Sequence, residues 1–187
     1  MDAIRRRTFV RGAAAGALAF TVGGAEVLLL PSEARAQKIP LKILNVDEAA
    51  RLEAVSDAMV PGARAAGIAH FVDQQCSVRP HEALLTLRIS NWQPPFANFY
   101  RAALAEIDRQ CNTKHGKPFA QLTATEQLDV IGQMRQNKLP DWKGPRPGAG
   151  VYATFRADGV DVVYGTVEGF ERLGVPYQAH ILPTARW

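Results

Sequence analysis

Four histidines (His70, His81, His115 and His180) and two cysteines (Cys76 and Cys111) are the residues of this chain with the widest chemical reach. A protein metal site needs ligands whose spacing brings them to one face, as the two histidines of HExxH are brought on a helix. No such pair occurs here, and no carboxylate stands at ligand spacing. The one grouping that could meet in space is His70, Asp73 and His81, which would make a small acid–base site. Surface or capping roles compete for each histidine, and His115 before Gly116 suits the negative end of a helix. The cysteines form neither CxxC nor CxxCH. On this reading a nucleophile elbow, a P-loop and a Rossmann glycine pattern are all absent, so neither phosphates nor dinucleotides have an obvious cradle. The reading is therefore of a chain that holds no catalytic, cofactor-binding or metal-binding residue of its own.

The N-terminus carries an address. Arg5-Arg6-Arg7-Thr8-Phe9-Val10-Arg11 places paired arginines, Arg6 and Arg7, ahead of Phe9, the pattern read by the twin-arginine (Tat) export receptor. Gly12 to Leu30 is apolar but diluted by four glycines, and Pro31 precedes the small-residue site Ala34-Arg35-Ala36. Cleavage is expected between Ala36 and Gln37, which makes 1–36 a signal peptide and 37–187 a single domain in the periplasm. The competing expectation is a retained membrane anchor, since the run approaches the roughly 20 residues that span a bilayer. Glu26 argues against it, because an acidic side chain near the membrane midplane costs about 2.5 to 3.5 kcal/mol on insertion scales. The twin-arginine route exports folded proteins, so something must be assembled before export: a cofactor or a companion chain.

Charge narrows the partners. The chain has 22 basic and 18 acidic residues. Setting aside Arg5, Arg6, Arg7, Arg11 and Arg35 with Asp2, Glu26 and Glu33 leaves 17 against 15. A nearly neutral domain lacks the clustered excess of Lys and Arg that nucleic-acid binding requires, so no nucleic acid is expected as a partner. The remaining chain, about 150 residues, is enough for one core.

The elements that must position these residues read as helices separated by Pro and Gly, which makes the fold class all-α: a small irregular helical bundle with an extended, aromatic-bearing C-terminal tail. Asn45 or Asp47 can cap a helix bearing Leu52, Val55 and Met59, broken at Val60-Pro61-Gly62. Ile68, Phe71, Val72 and Cys76 share one stripe of a second helix. A third, around Glu82 to Trp92, presents Leu85, Ile89 and Trp92 and stops at Pro94-Pro95. Phe96, Tyr100, Leu104, Ile107 and Cys111 have the strongest helical period and predict a central helix ending at Gly116. Thr123 and Glu126 stand at capping-box spacing, ahead of Leu128, Ile131 and Met134. A last helix is expected over residues 150–163.

Cys76 and Cys111 both end apolar stripes, and in an oxidising compartment a bridge between them would close a loop of about 35 residues, worth roughly 3 to 4 kcal/mol. Two separate buried thiols, or a bond to another subunit, are the alternatives. Trp142 lies in a breaker-rich loop, Pro-Asp-Trp-Lys-Gly-Pro-Arg-Pro-Gly, and is a candidate contact residue, though an aromatic there can equally fold back over the core. Tyr164, Phe170, Tyr177 and Trp187 populate the irregular tail and are candidates for a partner interface.

Several stretches together resemble the gluconate 2-dehydrogenase subunit 3 family: the twin-arginine start, Asp57-Ala58-Met59-Val60-Pro61-Gly62-Ala63, Gly67-Ile68, Phe71-Val72-Asp73, Phe99-Tyr100 with Leu104 and Asp108, and Phe119 to Leu122. Family members tend to end in Tyr-Gly-Gly-Asn and Gly-Tyr-Pro segments, which appear here altered as Tyr164-Gly165-Thr166 and Gly174-Val175-Pro176. The resemblance implies a non-catalytic small subunit of a membrane-associated, FAD-dependent sugar, alcohol or acid dehydrogenase. The FAD would sit in the large subunit, and electrons would pass to a cytochrome c subunit or a quinone. The alternatives are a periplasmic binding or scaffold protein, and a small enzyme with a site near His70 and His81.

Overall fold

The computed structural model describes residues 16–175. In chain order these form a hairpin of β1 (Leu18–Val22) and β2 (Ala25–Leu29), then α1 (Pro31–Ala36), α2 (Val46–Met59), α3 (Ile68–Ser77), α4 (Thr86–Ile89) and α5 (Ala97–His115). A 3-10 turn (Phe119–Gln121), α6 (Ala124–Arg135), α7 (Gly148–Tyr164) and α8 (Val167–Arg172) complete them. Eight helices and one two-stranded sheet among the described residues agree with the all-α reading. Arg6, Arg7, Phe9, Tyr177, His180 and Trp187 lie outside the described residues.

Local chemistry starts and stops the helices where the residue types demand. Asn45 caps α2 by accepting from the Glu48 N–H at 2.8 Å, while Glu48 accepts from the Asn45 N–H at 3.0 Å. After α2, Asp57 Oδ1 accepts from the Gly62 and Arg64 N–H groups and so fixes the Val60-Pro61-Gly62 break. Thr123 and Glu126 close the same reciprocal box at α6. Helix α5 ends at Gly116, whose φ of 71° lets the chain turn off in the left-handed region.

The hub differs from the expected one. Helix α5 buries Phe99, Tyr100, Leu104, Ile107 and Cys111, but its outer face carries Ala102, Asn112 and Lys114 in solvent. Helices α2 and α7 instead touch most of the other elements: α2 meets α3, α5, α6 and α7, and α7 meets α2, α3, α4, α6 and α8. Helix α7 can be surrounded because its inward positions are small or apolar: Val151, Phe155, Gly159, Val162 and Val163 are all buried. At Gly159 a Cβ would stand 3.1 Å from Val60 Cγ2, so the α2 end packs directly on the α7 backbone.

Three further expectations are corrected. The helix expected from Glu82 to Trp92 is one turn, α4, because side chains of other helices capture the backbone N–H groups it would have used: Gln75 Oε1 accepts from Leu84 and Asp158 Oδ1 from Thr86. Leu85 and Leu87 are buried there, whereas Ile89 is 72% exposed. In α6 the buried residues are Val130, Ile131 and Met134, and Leu128, turned about 120° from Met134 by the helical repeat, is exposed. The described part of the C-terminal stretch is helical where extended chain was expected, since Thr166 Oγ1 accepts from the Gly169 N–H and starts α8.

The expected Cys76–Cys111 bridge is not formed, and both cysteines are free thiols. Cys76, on α3, lies near Tyr100 and Arg101, in the first turns of α5. Cys111 is ten residues further along, a rise of about 15 Å, against the 4.4 to 6.8 Å Cα separation that a disulfide usually spans. Burial pushes each thiol up to about 12, so both stay protonated.

Residues 18–36, read from the sequence as leader, fold onto the domain. Gly23 and Gly24, with φ of 57° and 85°, make the tight turn that pairs Leu18 with Leu29 and Phe20 with Val27. Phe20, Leu29, Ala34 and Ile39 form a small second core.

Candidate functional site

The residues singled out for chemistry are distributed into structural work. Asp73, 4% exposed, accepts three backbone N–H groups, from Lys42 at 2.9 Å and from Ile43 and Leu44 at 2.8 Å. It therefore anchors the segment entering α2. His70 Nε2 lies 3.1 Å from the Ile39 carbonyl oxygen, which can only accept, so Nε2 carries the proton. His81 stands exposed on the turn after α3. His115 Nδ1 lies 3.5 Å from Glu126 Oε1 in the last turn of α5. Among the described residues no group of three or more His, Cys, Asp or Glu could hold a metal ion.

The most deeply buried polar tie was not read from the sequence. Asp158, on α7 and 1% exposed, accepts from Tyr100 Oη at 2.7 Å and from the Thr86 N–H at 3.1 Å, joining α7, α5 and α4. Burial pushes its carboxyl up to about 6 against the opposing pull of these hydrogen bonds. Burial, and then the Asp158 charge, pushes the Tyr100 hydroxyl upward. Helical period marks both positions as inward, but only the tertiary fold brings them together.

A second polar cluster fixes the loop that bears Trp142. Glu106 accepts from Arg109 Nη2 at 2.6 Å, Gln110 Nε2 at 3.0 Å and the Lys143 N–H at 3.0 Å. Burial pushes its carboxyl up, but these donors outweigh that and hold it down at about 2. Gln110 and Arg109 also donate to the Pro140 and Asp141 carbonyls. Trp142 Nε1 donates to the Arg146 carbonyl at 2.6 Å, and its ring lies over Gly144, where a Cβ would stand 2.5 Å away. Trp142 is thus half-buried, folded over its own loop and held rigidly.

Beside it the Arg146 guanidinium sits 4.8 Å from the centre of the Trp92 ring and 5.8 Å from that of Phe99. Its Nη2 also donates to Ser90 Oγ at 3.0 Å. Trp92, Arg146 and Trp142, with Ile89 projecting nearby in sequence from α4, make a preorganised aromatic and arginine corner. Such residues dominate the energetics of protein interfaces. Tyr164 is half-buried against the main core, and Phe170 is half-buried on α8. Of the proposed contact residues, Tyr164 and Phe170 therefore stand close together where α8 packs on the end of α7, and Trp142 on the loop before α7.

The expectation that no Rossmann glycine pattern occurs is corrected: Gly148-Ala149-Gly150-Val151-Tyr152-Ala153 has that spacing, but it opens α7 from a loop and not from a strand. Gly148 is used for packing, since a Cβ there would stand 2.7 Å from the Met134 carbonyl oxygen. Among the described residues this stretch is therefore not the strand–turn–helix unit with which a Rossmann fold holds a dinucleotide. No described helix is long and apolar enough to cross a membrane.

These features define a helical domain whose polar groups hold loops and whose aromatic and arginine corner is half-exposed. Residues 46–180 match the family described as Gluconate 2-dehydrogenase subunit 3. The match spans α2 to α8, well over half of the chain, and the chain belongs to that family. Comparison with curated proteins and with solved structures gives no match.

Proposed function

We propose that this chain is the non-catalytic small subunit of a periplasmic, FAD-dependent sugar, alcohol or acid dehydrogenase complex, and that it carries the Tat export signal for the assembly. The family match across the helical domain is the observation that carries this reading. The family is one of dehydrogenase subunits, so the partner is a dehydrogenase chain, and the flavin is assigned to that large subunit. A cytochrome c subunit is the proposed electron acceptor, and the complex holds the chain at the periplasmic face of the cytoplasmic membrane.

Two contact regions are proposed: the corner of Trp142, Trp92 and Arg146 before α7, and the C-terminal stretch with Tyr164, Phe170, Tyr177 and Trp187. A stable interface buries about 800 Å² per partner, and rigid aromatic anchors reduce the entropy lost on binding. The export signal rests on Arg6, Arg7 and Phe9, with cleavage after Ala36. Ala36 and Gln37 are exposed at the end of α1.

The test is to express the chain with a C-terminal tag in its native host and purify it from the periplasm. A co-purifying chain with a flavin spectrum, lost from the periplasm in the Arg6→Lys, Arg7→Lys double variant, is the expected result. A colourless monomer would refute the subunit reading.

A further inference from the structure

Resting on the export reading, we propose that the apolar half of the leader is stored on its own domain, as a β-hairpin and short helix seated against α3, and must peel away before the chain can be exported. The device is an intramolecular mask of the signal.

Four contacts seat it. Gln74 Nε2, on α3, donates to the Ala19 carbonyl at 3.2 Å, and Lys42 Nζ donates to Thr21 Oγ1 at 2.9 Å. Arg35 Nε pairs with Glu53 on α2 at 3.1 Å. The Pro31 carbonyl lies directly on Gly67, where a Cβ would stand 2.2 Å from its oxygen, so the start of α1 rests on bare backbone. The largest buried leader side chains, Phe20 and Leu29, are covered by Ala34 and Ile39. An apolar segment bound for a translocase or bilayer must present those side chains outward, so the docked and export-ready arrangements exclude each other.

The seat is also built to open. A hairpin of two strands is marginal by itself. Between β1 and α3 the contact leaves a cavity of about 780 Å³, lined by Leu18, Ala19, Phe71, Gln74, Gln75 and Leu84, among others. This solvent-open cleft leaves one flank of β1 unsupported by the helices. The sequence reading reserves residues 1–36 for removal, and cleavage after Ala36 would strip this cover from Gly67, Phe71 and Gln74.

The test changes only the domain side, leaving the leader's sequence intact: Gln74→Glu, which opposes a carboxylate to the Ala19 carbonyl, combined with Glu53→Gln. In full-length chain held in the cytoplasm by Arg6→Lys and Arg7→Lys, trypsin cleavage at Arg35 is timed with and without the seat changes. Separately, export of chains with native arginines is followed by pulse–chase. The expected result is cleavage at Arg35 at least ten-fold faster in the seat variant, with its export several-fold faster and the thermal unfolding of the helical domain retained. Equal cleavage in both chains overturns the proposal, as does faster cleavage without faster export. If export proceeds despite Arg6→Lys and Arg7→Lys, the export reading itself has failed, and the cleavage comparison still reports on the seat.

Discussion

Asp158→Asn is the sharpest probe of how the core is held. Asp158 is buried between Tyr100 and Thr86, with its carboxyl raised to about 6 first by burial and further by Asp161. The native state therefore binds a proton more tightly than the unfolded chain, where an aspartate titrates near about 3.9. Stability linked to this group is fully present below about pH 4 and lost as pH rises to about 6, because the unfolded chain releases its proton first. The gap corresponds to about 3 kcal/mol. An asparagine keeps the geometry, accepting from the Thr86 N–H through Oδ1 and donating to Tyr100 Oη through Nδ2, but does not titrate. Urea unfolding of both proteins at intervals from pH 4 to pH 7 isolates the effect, since groups common to both cancel in the difference. The stability of wild type relative to the variant should fall by about 2 kcal/mol across that range, leaving Asp158→Asn the more stable protein at pH 7 if the two are similar at pH 4. A difference that stays flat between pH 4 and pH 7 would falsify the assignment of Asp158 as a buried, protonation-sensitive tie.

Asp73→Ala should destabilise the domain by about 2 to 4 kcal/mol, since three backbone N–H groups lose a charged acceptor, and hydrogen exchange at residues 42–44 should rise with it. Glu106→Gln should free the Trp142 loop, seen as faster acrylamide quenching of tryptophan fluorescence in single-tryptophan variants retaining Trp142. Because the wild-type carboxyl is held down at about 2, the stability it contributes is present above about pH 4.3 and lost as pH falls toward 2. The urea midpoints of wild type and Glu106→Gln should accordingly converge in acid. Gly169→Ala places a Cβ 2.5 Å from Tyr164 Cα and should undock α8 at a cost of about 1 to 3 kcal/mol, with exchange increasing at 167–172 but not in α5.

Local rules carried the sequence a long way. The boxes at Asn45–Glu48 and Thr123–Glu126, the break at Val60-Pro61-Gly62 and the stop at Gly116 each depend on residues within a few positions of one another, so each was legible without a fold. The family was legible for the same reason, through short segments whose spacing is linear. What failed depended on distant groups. The Glu82–Trp92 helix gave way because Gln75 and Asp158, far along the chain, took its backbone donors. The cysteine pairing failed because a stripe marks a face of a helix, not the height at which a second helix crosses it. The Gly23-Gly24 turn between two apolar runs was a readable hairpin signal, passed over because the segment also reads as leader. The sequence alone thus determined helix class, punctuation and family, since these follow from neighbours along the chain. Only the tertiary structure decided that Tyr100, Thr86 and Asp158 share one buried tie, that Trp92, Arg146 and Trp142 share one corner, and that the hairpin of residues 18–29 rests on α3, because through-space proximity is set by packing and no linear spacing encodes it.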